Sequence, residues 1–340
     1  ANRHSFTSPE LPQLRSDWGG LRQPMEAEWP KSEEAAGTRA AELIQELVTG
    51  CLPPERTVRS LLRRAAESLD ELPTLVRVQI PAGATLHVVG DLHGQFPDLL
   101  RVLRICGMPE HGKNYLLFNG DFVDRGRQSV EVILVLLALA VANPWVLLLN
   151  RGNHESPSMN RVYGFEEEVL EKYSREVFES FQETFCRLPL ATVINSSVLV
   201  LHGGLFSREG VKLRDLNDID RKKRDFRGGL AVEMLWSDPS PDNGCRMSPR
   251  GAGVLFGPDV AERFCKENGL QCCIRSHEVV QHGYEWQLGH RCVTVFSAAN
   301  YGGRYGNLGA VCHLAPHEED LKSLDMSFST FAGAGRRSRL

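Results

Sequence analysis

Acidic, imidazole and amide side chains stand close to glycines at the points where successive apolar runs of this chain end. The candidates are Asp91, His93, Asp121, Asn153, His202 and His277. This mixture of donors suits divalent metals of borderline hardness, such as Mn, Fe or Zn. Six protein donors are more than one open catalytic site uses. The pattern therefore predicts two metal ions that share a bridging carboxylate, roughly 3.5–4 Å apart, as in centres that cleave phosphoesters.

Each of these residues, taken alone, has a simpler explanation. A single Asp or His after a strand is usually a turn former or a helix cap. Five separate strand ends of this chain carry such residues, however. Turn chemistry does not explain all of them together, so the metal site is the favoured interpretation.

The segments that precede these residues alternate between strand-like and helical patterns. Strands are predicted over 85–89, 115–118 and 145–149, and helices over 96–106 and 129–142. Strands that alternate with helices indicate βαβ units and a largely parallel sheet. In open α/β sheets, ligands bind beyond the carboxyl ends of the strands, where the candidate donors stand.

The second half of the chain has a different pattern. A long amphipathic helix is predicted over 166–185, and the turn Asn195-Ser196-Ser197 predicts a hairpin over 191–201. Further short strands are predicted over 272–274, 283–287, 292–296 and 311–314. They indicate a second, more antiparallel sheet packed on the first. The predicted fold class is therefore mixed α/β (α+β), a two-sheet sandwich flanked by helices with its site at the strand C-terminal ends.

Four segments are predicted along the chain. They are an extended or poorly ordered N-terminal arm (1–38), lead-in helices packed on the catalytic domain (39–75), the catalytic domain itself (76–318) and a flexible C-terminal tail (319–340). Trp18 and Trp29 indicate that part of the arm docks on the main body.

Composition excludes several classes of protein. Of 340 residues, 42% are hydrophobic and 24% charged, as in soluble globular domains. The net charge of −4 argues against binding to nucleic acid or to a membrane surface, which needs concentrated positive charge. The most apolar run, residues 132–142, is about half the roughly 20 residues that a membrane crossing requires. Nine cysteines without a CxxC pair indicate a reducing compartment.

The motifs around the candidate donors resemble those of a known family. GDLHGQ, GDFVDRG, RGNHE and LHGG occur in this order, and Tyr163-Gly164-Phe165 and Ser297-Ala298-Ala299-Asn300-Tyr301 extend the match over about residues 75–315. Together they resemble the metal-dependent phosphoprotein phosphatases, which are Ser/Thr phosphatases with a metallophosphoesterase-like fold. LWSDP, FGPDV and RSHEV are most similar to the protein phosphatase type five and EF-hand phosphatase branch.

The resemblance implies a role for each site residue. Asp91 and His93 would hold the first metal, Asn153, His202 and His277 the second, and Asp121 would bridge them. His154, supported by Asp124, would be the general acid, and Arg125, Arg250 and Tyr301 would bind phosphate. The implied reaction is hydrolysis of phosphoserine and phosphothreonine by direct attack of a hydroxide that bridges the two metals. The expected metals are Mn, Fe or Zn.

The sequence also allows two alternative functions and predicts partners and a location. The alternatives are a small-molecule metallophosphoesterase, such as a dinucleoside polyphosphate hydrolase, and a catalytically inactive scaffold that binds phosphoproteins. Expected partners are phosphoprotein substrates and regulatory or targeting proteins, with no nucleic acid and no membrane. The expected location is cytoplasmic or nuclear, although the terminal Ser338-Arg339-Leu340 resembles a peroxisomal address.

One loop departs from the family pattern. Ala299 and Gly302 stand where relatives commonly have proline and cysteine, whereas Tyr301 is kept. The expectation is a more flexible loop with intact chemistry, and altered sensitivity to the toxins that inhibit the family.

Overall fold

The computed structural model describes residues 28–333, whose strands form two large sheets and one small one. The helices in this part of the chain are α1 (Glu33–Val48), α2 (Glu55–Asp70), α3 (Phe96–Cys106), α4 (Ser129–Ala142), α5 (Pro157–Tyr163), α6 (Phe165–Lys172), α7 (Arg175–Phe185), α8 (Leu213–Asn217), α9 (Leu230–Trp236) and α10 (Pro258–Asn268). The strands are β1 (Leu75–Val78), β2 (Thr85–Val89), β3 (Asn114–Phe118), β4 (Leu147–Leu149), β5 (Ala191–Ile194), β6 (Val198–Leu201), β7 (Asp238–Pro239), β8 (Cys245–Met247), β9 (Val254–Phe256), β10 (Cys272–Arg275), β11 (Tyr284–Gln287), β12 (Cys292–Val295), β13 (Gly309–Pro316) and β14 (Leu324–Phe331).

The two large sheets pack face to face, with helices outside both. One has the order β1-β5-β6-β10-β12-β11 and the other β14-β13-β2-β3-β4. In the second sheet β2, β3 and β4 are parallel, whereas β13 and β14 run antiparallel. Alternate residues of both sheets, such as Val88, Leu117, Val200 and Ile274, form one buried cluster between them. This arrangement agrees with the predicted sandwich, because side chains on a strand alternate between its two faces. The predicted strand over 311–314 is part of β13, however, and pairs with β2 rather than with the other strands of the second half. The sheet that those other strands form is not mainly antiparallel, since β1–β5, β6–β10 and β10–β12 pair in parallel.

The apolar run predicted as a buried helix is α4. Nearly all of its side chains are buried. They pack against α1, α2 and α3 on one side and against the sheet that contains β2, β3 and β4 on the other. A helix that is apolar on every face needs such enclosure. Within residues 28–333, no helix is both long enough and apolar enough to cross a bilayer.

The N-terminal arm is shorter than predicted. Helix α1 begins at Glu33, and Trp29 is only 3% exposed. The backbone N–H of Trp29 donates to Ser60 Oγ over 2.6 Å, and the Arg39 guanidinium lies over its ring. The prediction of an arm to residue 38 is therefore wrong for residues 28–38. Because Gly37 and Thr38 are poor helix formers, the sequence pattern did not indicate that the helix begins before them. Trp18 lies outside the described residues.

The predicted helix over 166–185 is two helices. α6 ends at Lys172, and α7 begins after Ser174, whose Oγ accepts a hydrogen bond from Val177 N. Ser at this position is a preferred N-cap, which explains the break. The short helix α5 just before them was not predicted.

The C-terminal segment is partly ordered, which corrects the predicted tail over 319–340. β14 pairs with β13 over eight residues, from Pro316↔Leu324 to Gly309↔Phe331. The side chains of Leu324 and Phe331 are buried. Pairing with β13 makes this segment a strand although its own alternation of apolar and polar residues is weak. Ser338-Arg339-Leu340 lies outside the described residues.

A histidine pair between β2 and β13 predicts a stability change with pH. His87 Nδ1 lies 2.6 Å from His313 Nδ1. Burial, followed by the charge of His313, lowers the pKa of His87 from 6.5 to about 4. The unfolded chain therefore takes up this proton first, and stability is lost as pH falls from about 6.5 towards 4. Between pH 7 and 4, the wild type should lose about 2–3 kcal/mol more unfolding free energy than His87→Gln. Urea unfolding at each pH measures this, and equal losses would contradict it.

Candidate active site

The strand ends bring the predicted residues to one cleft. Nearly all of them line it, and Asp124 and His202 lie directly behind it in hydrogen-bond contact with lining residues. The lining members are Asp91, His93, Asp121, Arg125, Asn153, His154, Arg250, His277 and Tyr301. Residues 186 positions apart in the chain therefore meet, as in the bond from His277 N to Asp91 Oδ1.

Four donors converge on one side of the cleft floor. His202 Nε2 lies 3.3 Å from Asp121 Oδ1 and 3.2 Å from His277 Nδ1. Asn153 Oδ1 lies 2.9 Å from the same His202 nitrogen. Exchanging the amide oxygen and nitrogen of Asn153 would let the amide donate to His202 Nε2, His277 Nδ1 and Asp121. With the oxygen where it is, lone pairs face one another, which is the arrangement that a bound cation requires.

A second group of donors shares the Asp121 carboxylate. His93 Nε2 lies 3.5 Å from Asp121 Oδ2 and 3.6 Å from Asp91 Oδ2. Asp121 therefore presents one oxygen to each group. This is the geometry expected of a carboxylate between two cations.

The imidazole rings are oriented as metal ligands. Nδ1 of His93 lies 2.9 Å from Val123 O, and Nδ1 of His202 lies 2.9 Å from Asn119 O. Because a carbonyl oxygen can only accept, both rings donate from Nδ1 and keep the Nε2 lone pair for the cleft. Metal-binding histidines are commonly held in this way. The residues therefore fit two divalent cations.

The charges of this site are strongly coupled. Burial alone would lower the pKa of His93, but Asp91 and Asp121 outweigh it and raise the pKa to about 9. Burial is likewise outweighed by Asp121 and Asp91 at His202, whose pKa also rises to about 9. Burial would raise the pKa of Asp121, but the neighbouring imidazoles, His202 first, hold it well below its usual range. The buried carboxylates thus need positive charge beside them.

His154 has a different environment from the other imidazoles. Its Nδ1 lies 2.7 Å from Asp124 Oδ2, which leaves Nε2 as the nitrogen free to act in the cleft. Asp124 also accepts hydrogen bonds from Asn160 Nδ2 and Phe165 N. His154 lies near His93 and Asp121 and could be counted with the metal donors. The short bond to Asp124 favours an acid–base role instead.

The three residues predicted to bind phosphate all lie at the cleft, but they differ in exposure and in the contacts they make. Arg250 donates to both carboxylate oxygens of Asp238, with Nε 2.6 Å from Oδ2. The Arg125 side chain is exposed and forms no ion pair within residues 28–333. Burial raises the pKa of Tyr301 above its ordinary value, so its hydroxyl stays protonated as a donor. The cleft therefore presents two guanidinium groups and one phenol hydroxyl to an anion that enters it.

The altered loop around Tyr301 is tied to the body by hydrogen bonds. Ala299 N donates to Asp98 Oδ2 over 3.0 Å, and Ala299 O accepts from Gln95 Nε2 over 2.9 Å. Asn307 Oδ1 accepts from Tyr301 N over 2.9 Å. These bonds hold the Tyr301 side chain at the cleft although the usual proline is absent.

Sequence reasoning missed Glu155, which organises the loops of the site. Its buried carboxylate accepts hydrogen bonds from Asp121 N, Phe122 N and Gly152 N, at 2.7–2.9 Å. Gly120 has φ +87°, and a Cβ there would lie 2.3 Å from Gly152 N. The loops after β3 and β4 therefore also touch backbone to backbone at this point, with no room for a side chain on Gly120. The only sequence signal was the acidic residue that ends RGNHE.

Cleft-lining side chains outside the predicted set were also missed. Met159 and Trp236, which are not among the predicted site residues, both line the cleft. Tyr163, the last residue of α5, also lines it. Their apolar character gave no signal of a site.

Comparison with known proteins agrees with this geometry. The family model Metallophos, described as calcineurin-like phosphoesterase, matches residues 84–281. Serine/threonine-protein phosphatase T of Schizosaccharomyces pombe is 49% identical over 79% of this chain and 56% of its own length. Human serine/threonine-protein phosphatase 5 is 48% identical over 75% of this chain and 51% of its own length. This chain thus spans about half the length of the curated relatives it matches.

Solved structures show the same fold. A Saccharomyces cerevisiae protein serine/threonine phosphatase, described as similar to human phosphatase PP5, aligns with a TM-score of 0.80 and 39% identity. That alignment covers 86% of this chain and 96% of the yeast one. A cold-active protein-tyrosine phosphatase from a Shewanella species shares the fold alone, with a TM-score of 0.54 and 16% identity over 78% of this chain and 84% of its own. The predicted family and fold class are confirmed, and this chain belongs to the calcineurin-like phosphoesterase family.

Proposed function

We propose that this chain is a serine/threonine protein phosphatase, which hydrolyses phosphoserine and phosphothreonine in proteins. The observation that carries the proposal is the meeting, in one cleft, of two sets of metal donors, the His154–Asp124 pair and the free guanidinium of Arg125. The names of the relatives that this chain resembles support the same substrate class.

The distances between the donors support two sets that share one carboxylate. Asp91 and His93 would hold one cation, and Asn153, His202 and His277 the other, with Asp121 between them. Mn, Fe or Zn would suit these oxygen and nitrogen donors. Two such ions, when bound, lower the pKa of a water molecule and neutralise phosphoryl oxygens.

The remaining residues bind and protonate the substrate. The guanidinium groups of Arg125 and Arg250 would each offer paired N–H donors to the phosphate oxygens, and Tyr301 would donate its hydroxyl. His154 Nε2 would give a proton to the departing serine or threonine oxygen. Asp124 holds the ring at Nδ1 and so directs Nε2 into the cleft.

Metal-dependent release of phosphate is the first expected result. Phosphoserine and phosphothreonine peptides should be hydrolysed in the presence of Mn²⁺, and phosphotyrosine peptides far less. Removal of the ions by a chelator should abolish release, and added Mn²⁺ should restore it, because the ions would supply the activated water and neutralise the phosphoryl oxygens. Release of phosphate is measured by a colorimetric assay, with Asp121→Asn as the inactive control.

The alternatives give different results in the same assay. Hydrolysis of a dinucleoside polyphosphate but of no phosphopeptide would support the small-molecule enzyme. Binding of phosphopeptides by metal-loaded protein, without release of phosphate, would support the inactive scaffold. Either outcome would contradict the proposed function.

The partners and location follow from the proposed substrate. Phosphoproteins would be the substrates, and targeting or regulatory proteins would direct the enzyme to them, in the cytoplasm or nucleus. All nine cysteines are free thiols and most are buried, which is compatible with a reducing compartment.

A further inference from the structure

We propose that Tyr163, the last residue of α5, is a positioning residue that holds Arg125 ready for the substrate phosphate. This inference rests on the proposed phosphatase function. The centre of the Arg125 guanidinium lies 3.7 Å from the centroid of the Tyr163 ring. In addition, Arg125 N donates to Tyr163 O over 3.0 Å. The two residues therefore contact each other through both backbone and side chain.

Arg125 needs such a contact because little else restrains it. Its side chain is exposed, and within residues 28–333 its guanidinium forms neither an ion pair nor a hydrogen bond. Arg250, by contrast, is held by two hydrogen bonds to Asp238. Without the Tyr163 ring, the long Arg125 side chain would sample many rotamers, and ordering it would weaken phosphate binding.

An aromatic ring suits this task better than a carboxylate would. A cation held over a ring face keeps its N–H groups, which lie in the guanidinium plane, free for another partner. A carboxylate would occupy those donors and cancel the charge. Tyr163 can therefore orient Arg125 while all its donors stay available to the phosphate oxygens.

The backbone around this pair is held in a strained form. Asp124 and Arg125 have φ of 71° and 69°, in the left-handed region that side chains rarely adopt. The surrounding contacts compensate for this: Phe165 N donates to Asp124 Oδ1 over 2.9 Å, and Gly164, at φ 112°, turns the chain between Tyr163 and Phe165. Strain of this kind is retained where it orients functional side chains. This gives the motif Tyr163-Gly164-Phe165 a physical reason.

The expected effect of removing the ring falls on phosphate binding. Tyr163→Leu should raise the KM for a phosphoserine peptide, and the dissociation constant of inorganic phosphate, by about 3- to 30-fold. Its kcat should change less than KM: the Tyr163 ring centroid also lies 5.1 Å from that of His154, but the bond from His154 to Asp124 and the metal donors remain in place. Tyr163→Phe should behave like the wild type, since the structure gives the hydroxyl no hydrogen bond within residues 28–333. Val162→Ala, a change at an exposed neighbour, is the matched control.

Calorimetric titration of the Mn²⁺-loaded protein with inorganic phosphate gives a readout independent of turnover. If Arg125 mediates the effect, Tyr163→Leu should add nothing in an Arg125→Met background. Tyr163→Trp, which keeps a ring face, should retain tight binding, and this comparison remains available if the Leu variant does not fold.

The outcomes separate this inference from the proposed function. Equal phosphate affinity in the wild type and Tyr163→Leu, or an equal further loss in the Arg125→Met background, would overturn it. A wild type that binds phosphate in a Tyr163-dependent way but hydrolyses no phosphopeptide would support the positioning role and contradict the substrate class. A wild type that binds no phosphate would overturn both.

Discussion

Replacing His154 by asparagine is expected to lower kcat on a phosphoserine peptide by roughly 10²–10⁴-fold, with the bound metal unchanged. The reason lies in the two ring nitrogens. Nδ1 is held 2.7 Å from Asp124 Oδ2, so only Nε2 can deliver a proton in the cleft. A serine alkoxide is a poor leaving group, and without that proton its departure limits the reaction. Asparagine is too weak an acid to replace the imidazolium.

A change of leaving group tests the role directly. Nitrophenyl phosphate releases a stable phenolate that needs little protonation, so His154→Asn should lose far less activity on it than on the peptide. Measured kcat values for both substrates, with metal content from atomic absorption, give the comparison. Val162→Ala is the control for purification and metal loading, and it should match the wild type on both substrates. Equal losses on the two substrates would remove His154 from the role of general acid.

Asp124→Asn provides a check on the supporting carboxylate. Asp124 also accepts hydrogen bonds from Asn160 Nδ2 and Phe165 N, so an amide there must either turn away from His154 or lose one of these partners. The kcat on the phosphoserine peptide should fall by more than the kcat on nitrophenyl phosphate, because a carboxylate no longer holds the His154 ring at Nδ1. A structural effect alone would lower both kcat values equally.

The parts of the fold that local pattern determines could be predicted from the sequence. Strand β2, helix α3 and helix α4 have the predicted limits, as has the hairpin of β5 and β6. In each, the period of apolar residues and the glycines or polar turns at its ends are local signals. The donors at the ends of the strands were predictable for the same reason. Their position follows from strand ends, and their residue types are written in the sequence.

The contacts that make the site rigid could not be predicted, because they join distant residues. Glu155 accepts from Asp121 N, 34 positions away, and only the three-dimensional structure shows that these loops touch. The same holds for β14, whose ordering depends on pairing with β13 rather than on its own pattern. Asn160, which supports both Asp124 and the His154 carbonyl, lies on a helix too short to have a clear period.

Backbone strain at the site was also invisible in the sequence. The non-glycine residues at positive φ in the site loops are His93, Asp121, Asp124, Arg125, His277 and Asn300. Left-handed backbone costs about 1–2 kcal/mol per such residue. Propensity rules assign these positions to glycine, so they fail where the chain accepts strain in order to aim a side chain.

Replacing Asp121 by asparagine should abolish activity more completely than any other single change in the donor set. Asp121 presents Oδ1 to His202 and Oδ2 to His93, so its two oxygens face both groups of donors. An amide would place N–H groups against one of these imidazole lone pairs and remove the shared negative charge. We expect both cations to bind poorly and kcat to fall on the order of 10³-fold or more.

Comparison with Asp91→Asn shows whether Asp121 is shared. Asp91 lies 3.6 Å from His93 Nε2 and belongs to one donor group only, so its loss should weaken one cation and spare the other. Titration of metal-free protein with Mn²⁺ should therefore give one remaining tight site in Asp91→Asn and none in Asp121→Asn. Asp259→Asn, in the first turn of α10 and outside the cleft, should keep both sites. Two tight sites in Asp121→Asn would show that the carboxylate does not bridge, because neither cation would then depend on it.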